Sequence, residues 1–171
     1  MKLFDSHCHL DDKNYAQDLD AVIERARSAG VTRLMTIGVN GKTSARAVEL
    51  AESYPEIYAS VGVHPHDAGN CRESVIDDLL ELAENPKVRA WGEIGLDFNR
   101  MYSPREDQEK WFRKQLKIAG RLDLPMIFHE RDSNGRFLEM LKQHAVHKLK
   151  GVVHCFSGDH NELETTRQFH V

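Results

Sequence analysis

No apolar run in the chain approaches the ~18 residues that a membrane-spanning helix needs, and the N-terminus turns polar almost at once. This argues against secretion and against insertion in a bilayer, so a cytoplasmic protein with no membrane partner is expected. Cysteine is scarce. Cys8, Cys71 and Cys155 are odd in number and form no CxxC pair, so reduced thiols are expected. Strand alternation turns Cys8 and Cys155 away from the face of their neighbours, which predicts a packing role for both. Positive charge is not in excess either. Lys and Arg total 23 against 27 Asp and Glu, a formal charge of −4, so there is no broad basic surface. A nucleic-acid partner would have to be engaged locally, by metals and a few basic groups. Low-complexity tracts, linkers and exact repeats are missing as well. With 40% hydrophobic and 29% charged residues, the 171-residue chain suits one domain with its own core, spanning residues 1–171.

What is present is an alternation of apolar runs with helical patterns. Strands are predicted over Lys2–His9, Val31–Gly38, Ile57–Val63, Val88–Gly95, Pro125–His129 and Gly151–His154. Between them, Tyr15, Leu19, Val22, Ile23 and Ala26 stripe a helix over Asp12–Ala29, which Gly30 stops. A second helix covers Thr43–Tyr54, and a third is built on Val75, Ile76, Leu79, Leu80 and Ala83. The long fourth helix opens with Ser103 as cap, Pro104 at the first position and Glu106 closing the box. Two more carry Phe137, Leu138 and Leu141, and the opening Asp159-His160-Asn161-Glu162. Six βα units predict a parallel sheet flanked by helices. The sheet is either open and doubly wound, or belongs to a closed barrel of about eight strands and ~250 residues that lacks its last quarter.

The strands end in residues that a metal can use. His7 and His9 close the first and point to one face; Glu93 closes the fourth, His129 the fifth and His154 the sixth. Parallel strands present their carboxyl ends along one edge, so these scattered residues are expected to meet. Four imidazoles around one carboxylate make a two-metal site. An Arg salt bridge is the plainer account of Glu93, since a buried carboxylate needs a partner or a cation. A satisfied core histidine is the plainer account of His129 and of His154 taken singly. The joint occurrence favours metal. Such a ligand set suits Zn²⁺, Mn²⁺ or Co²⁺, and availability can make Mg²⁺ the working ion. His64, in Gly-Val-His-Pro, reads as a further ligand, a group facing a phosphate, or a loop histidine ordered by Pro65. Arg131 and Asp132 read as contacts to an anionic substrate and a ligand-orienting acid, or Asp132 as a helix cap. Asp97 is placed behind a ligand histidine or as a residue that shapes its loop. His66, His144, His147, His160 and His170 are expected to be solvated.

The segments Asp-Ser-His7-Cys-His9-Leu, Gly62-Val-His64-Pro65, Gly92-Glu93-Ile-Gly-Leu-Asp97, His129-Glu-Arg131-Asp132 and His154-Cys-Phe-Ser-Gly158 resemble the TatD family of metal-dependent deoxyribonucleases. The likeness runs from end to end of the chain, in order and in rough spacing. It implies an α/β fold, the (β/α)₈ TIM barrel of metal-dependent hydrolases, with about six of eight βα units in these residues. It also implies two divalent metal ions (Mg²⁺, Mn²⁺ or Zn²⁺) and hydrolysis of DNA phosphodiesters, on single strands or from 3′ ends. On this resemblance His7 and His9 hold the first metal, Glu93 bridges both as a catalytic group, and His129 and His154 hold the second. His64 faces the substrate phosphate as a second catalytic group, and Arg131 contacts substrate. The family also has a Glu-Thr-Asp-x-Pro segment whose aspartate serves the active site. No Thr-Asp-x-Pro occurs here, so a fragment or a natural truncation, incomplete at its C-terminus, is expected. Two other readings stand beside this one. One is a C–N or ester hydrolase on the same barrel, although such enzymes often have a modified lysine where Glu93 stands. The other is a non-catalytic metal-binding or interaction protein. Nothing in the pattern indicates an oligomeric state.

Overall fold

The computed structural model describes residues 1–144 and 149–169. His147 and His170, both expected to be solvated, lie outside the described residues. Six parallel strands form one sheet in sequence order: β1 (Leu3–Cys8), β2 (Val31–Ile37), β3 (Ile57–Val61), β4 (Val88–Asp97), β5 (Met126–Arg131) and β6 (Gly151–His154). A doubly wound sheet reverses its order at a switch point, whereas a barrel adds each strand beside the last. The order here is that of the barrel, and the sheet curls into part of one. Helices α1 (Leu19–Ser28), α2 (Gly41–Ser53), α3 (Glu73–Ala83), α4 (Arg105–Leu122), α5 (Arg136–His144) and α6 (His160–Arg167) fill the connections.

The main core lies between the sheet and these helices, and includes Ile57, Val61, Leu79, Trp91, Ile94, Phe112 and Phe128. Met35, Ile37, Ala90 and Ile127 form a smaller cluster of their own. Phe112 of α4 stacks on Phe137 of α5 with centroids 5.4 Å apart, and Phe128 of β5 meets Phe137 edge-on at 5.5 Å. This aromatic trio fixes the end of β5 that holds His129. The two edge strands are less covered. Leu3 and Phe4 of β1 and Val152 of β6 are exposed, because neither strand has a neighbour on its outer side among the described residues.

Several predicted boundaries move. The helix over Asp12–Ala29 divides into a short 3-10 turn (Lys13–Tyr15), capped by Asp12, and α1 from Leu19. Ser103 does not cap α4. Pro104 occupies that position without a side-chain bond, and the Ser103 hydroxyl instead fastens two loops together, as described below. Asp132 is not a cap either. It has φ 51°, and the Phe137 amide donates to Ser133 Oγ at 3.3 Å. Asp159 and Glu162 do form the reciprocal box that opens α6.

Candidate metal centre

Glu93 does not close β4. The strand continues to Asp97, and Glu93 sits inside it at a bulge. Gly92 pairs with Ile127 and Ile94 with Phe128, so Glu93 is the extra residue with no partner on β5. A bulge of this kind re-aims one side chain without ending the ladder. Glycine makes it feasible, because Gly92 has φ 146° and Gly95 φ 148°, and a Cβ at either would overlap the backbone carbonyl of Ile127 or His129. A second irregularity, between Asp5 and Cys8, bends β1 where His7 lies.

The re-aimed carboxylate is buried, with 3% of its surface exposed, and three histidines surround it. Oε1 lies 2.8 Å from His129 Nδ1 and 3.7 Å from His64 Nε2, while Oε2 lies 3.4 Å from His7 Nε2. The His154 ring stacks on His7 with centroids 4.0 Å apart, and His9, just past the end of β1, packs edge-on against His7 at 5.2 Å. Two groups of potential ligands converge here: His7, Glu93 and His154, and His64, His66 and His129. A cavity of about 270 Å³ opens beside them, lined by His9, His64, His66, Asp67, Glu93, His129 and His154.

Behind His129 stands Asp97, fully buried at the last position of β4 and so not in a loop. Its Oδ2 accepts from His129 Nε2 at 3.1 Å and from His66 Nε2 at 2.7 Å. Its Oδ1 accepts the amides of Asn99 and Arg100 at 3.0 and 2.8 Å. His66 is therefore not the solvated histidine the sequence suggested. It lies on a 3-10 helix (Pro65–Asn70), where strand alternation says nothing about direction, and its own amide donates to His64 Nδ1 at 3.0 Å. The spacing of Gly-Val-His-Pro-His-Asp was the available signal. Among the other expected solvated histidines, His160 is exposed and His144 half-buried.

Arg131 ends β5, half-buried. Its neighbour Glu130, which sequence reasoning passed over, is buried and ties two loops. It accepts from the Ser133 amide and hydroxyl at 3.1 and 2.8 Å and from the Ser157 amide at 2.8 Å. The loops that follow His129 and His154 are thus tied through one carboxylate. Cys8 packs against the main core and its thiol donates to the Met35 carbonyl at 3.2 Å; burial pushes it up to about 12. Cys155 does not pack as expected. It follows the end of β6 with φ 55° and is exposed, because alternation ends where the strand ends.

The electrostatics follow from burial against hydrogen bonding. Burial would raise Glu93, but His129 and His7 outweigh it and hold the carboxyl well below the usual range. Burial likewise opposes ionisation of Asp97, yet the Arg100 amide, His66 and His129 bring it down to about 2. His129 is raised despite its burial, because Glu93 and Asp97 each accept from one of its nitrogens. His64 goes the other way. Burial, reinforced by His129 and His66, lowers it to about 3, so its ring is neutral. With Nδ1 accepting from the His66 amide, the proton sits on Nε2, facing Glu93.

The donor set fits a cation. His7 Nε2 is buried, has no hydrogen-bond partner, and confronts a carboxylate oxygen at 3.4 Å. A divalent ion between that ring nitrogen and the carboxylate would give both a partner. His129, bonded through both nitrogens, would exchange a proton for the metal.

The family model described as "TatD related DNase" matches residues 4–170. The "3'-5' ssDNA/RNA exonuclease TatD" of Escherichia fergusonii is 40% identical over 163 residues, covering 95% of this chain and 62% of that protein. The "Uncharacterized metal-dependent hydrolase YabD" of Bacillus subtilis is 40% identical over 156 residues, 91% of this chain and 61% of the relative. Among solved structures, the TatD homolog YJJV of Escherichia coli K12 superposes with a TM-score of 0.86 at 34% identity, over 98% of this chain and 65% of its own. This chain therefore spans about three fifths of the length of the curated relatives it matches. With its strand order, its bulged glutamate ringed by histidines and a family match over nearly all its length, the chain belongs to the TatD related DNase family.

Proposed function

We propose that this chain contributes the metal-binding face of a hydrolase that cleaves phosphodiester bonds in single-stranded DNA, working from 3′ ends. The supporting observation is the position of Glu93. One buried carboxylate turns Oε2 to His7 and Oε1 to His129 and His64, so it would serve ligand groups on both sides. In this reading His7 and His9 would hold one divalent ion (Mg²⁺, Mn²⁺ or Zn²⁺) and His129 and His154 the other, with His154 also within reach of His7 and Glu93, and residues 1–171 act as one domain. When bound, the pair supplies Lewis acidity toward the phosphate and the attacking water. The chain's own residues do the rest. Glu93 is held well below the usual carboxylate range by its histidine partners, which favours its anion. Asp97 orients His129 through Nε2. His64, neutral and protonated on Nε2, offers a donor to a phosphate oxygen, and Arg131, two residues after His129 at the end of β5, offers a cation to the substrate.

The similar TatD exonuclease of Escherichia fergusonii is named for ssDNA and RNA, which makes RNA a second substrate to assay. Among the described residues no helix is long and apolar enough to cross a membrane. The test is cleavage of a single-stranded oligonucleotide, end-labelled, with Mg²⁺, Mn²⁺ or Zn²⁺ added in turn. Chelation, Glu93→Gln and His129→Ala should each abolish product. Cleavage that survives all three would refute the assignment, and ring opening of a lactone or cyclic amide in place of nucleotide release would move it to another hydrolase class.

A further inference from the structure

The loop between β4 and α4 is held rigidly at both ends, yet it carries an aromatic ring out into solvent. Asp97 Oδ1 folds the start, accepting from the Asn99 and Arg100 amides at 3.0 and 2.8 Å. Buried Ser103 fastens the finish. Its hydroxyl donates to the His66 carbonyl at 2.7 Å and accepts the Gly69 amide at 2.8 Å, while its own carbonyl takes Gln108 Nε2 at 2.8 Å. Between the anchors come Met101, at φ 51°, and Tyr102, which is 65% exposed. The Tyr102 ring lies 4.7 Å from the His66 ring, centroid to centroid, at 72°. His66 is itself a wall of the metal-site cavity. Arg100 Nη1 reaches to 3.4 Å from the Tyr102 hydroxyl, which places a guanidinium at the outer end of the ring.

We propose that Tyr102 and Arg100 form a stacking shelf for a nucleobase, seating the base of a nucleotide next to the phosphate to be cut. This rests on the single-strand nuclease reading above and names the subsite that reading lacks. Hydrogen bonds on both sides hold the loop, and the edge-on contact with His66 sets the ring while leaving most of it in solvent. A flat, pre-positioned π surface at the rim of a phosphate-cleaving site suits a flat heteroaromatic ligand, and every base has such a face. The adjacent guanidinium adds a cation for the ring above or for the neighbouring phosphate, a contribution that a chain of net charge −4 can make only locally. Recognition at this shelf is through the base plane, so it is indifferent to sequence and absent for a nucleotide without a base.

The experiment compares a labelled single-stranded oligonucleotide with one whose 3′-terminal nucleotides are abasic. Fluorescence anisotropy in chelator scores binding without cleavage, on the wild type, Tyr102→Ala and Tyr102→Trp. Stacking on an aromatic is worth about 1–3 kcal/mol per base, so Tyr102→Ala should weaken binding of the base-bearing strand by roughly 5- to 150-fold. Its affinity for the abasic strand should not change, and Tyr102→Trp should keep the preference. Thermal melts should coincide, since the ring is mostly in water. Equal affinity of wild type and Tyr102→Ala for the base-bearing strand overturns the shelf, as does an equal loss on both strands. Metal-dependent cutting of the abasic strand by the wild type reports separately on the nuclease reading, which can therefore fail or stand apart from the shelf.

Discussion

Replacing Asp97 by asparagine should separate the charge of this residue from its shape. The side chain is fully buried, and Oδ1 can go on accepting the Asn99 and Arg100 amides as an amide oxygen. What is lost is the anion facing His66 and His129 at 2.7 and 3.1 Å. Against burial, the Arg100 amide, His66 and His129 lower the folded-state pKa from 3.8 to about 2. At 1.36 kcal/mol per unit this corresponds to roughly 2–3 kcal/mol, in line with about 1.5–3 kcal/mol for a hydrogen bond to a charged group. Because the folded pKa is depressed, the contribution is complete above the unfolded value near 4 and disappears as pH falls toward 2. Urea unfolding in chelator should show Asp97→Asn less stable by about 2 kcal/mol at pH 7, a fall in Tm of roughly 4–8 °C for a chain of this size. The gap should narrow below about pH 4. Zinc or manganese titration should show affinity weakened by about 10- to 100-fold, the usual cost of removing the group that orients a ligand histidine. A variant as stable as the wild type at pH 7, or a deficit that does not change on acidification, would refute this account of Asp97.

His64→Gln, compared with wild type by urea unfolding across pH 4–7 in chelator, tests the buried neutral ring. Its folded pKa of about 3 lies below the unfolded 6.5, so His64 costs no stability above 6.5 and progressively more as pH falls. The variant should lose that part of the acid sensitivity, and an unchanged pH slope would contradict it. Gly95→Ala forces a Cβ onto the His129 carbonyl at φ 148°, so thermal melts should register a loss of roughly 2–4 kcal/mol together with weakened metal binding. Phe128→Ala empties the centre of the aromatic trio behind His129 and should cost about 3–5 kcal/mol in chemical denaturation, with metal ligands intact. Glu130→Gln should weaken the tie between the loops after β5 and β6, seen as faster amide exchange at Ser133 and Ser157.

Residues with a regular environment could be read from the chain alone. Apolar periodicity located six strands and their helices, and the parallel arrangement followed from their alternation. His7, His9, Glu93, His129 and His154 were singled out because a parallel sheet gathers such positions at one edge, and they do lie around one cavity and its walls. Periodicity alone left the sheet either barrel-like or doubly wound, because local sequence does not encode which strand lies beside which; the family resemblance implied the barrel, and the strand order agrees with it. The irregular positions also belonged to tertiary structure. Glu93 was placed at a strand end, but it acts from a bulge inside β4, where the close approach of β5 admits only glycine beside it. His66 was set aside because direction on a 3-10 turn has no period to read, and only folding brings it to Asp97. Ser103 has the signature of a helix cap, yet its hydroxyl serves Gly69 and the His66 carbonyl, partners far away along the chain. Sequence determines what repeats, because periodicity is a local property of helices and strands. The bulge, the second carboxylate and the fastened loop depend on contacts between distant segments, and only the assembled fold could decide them.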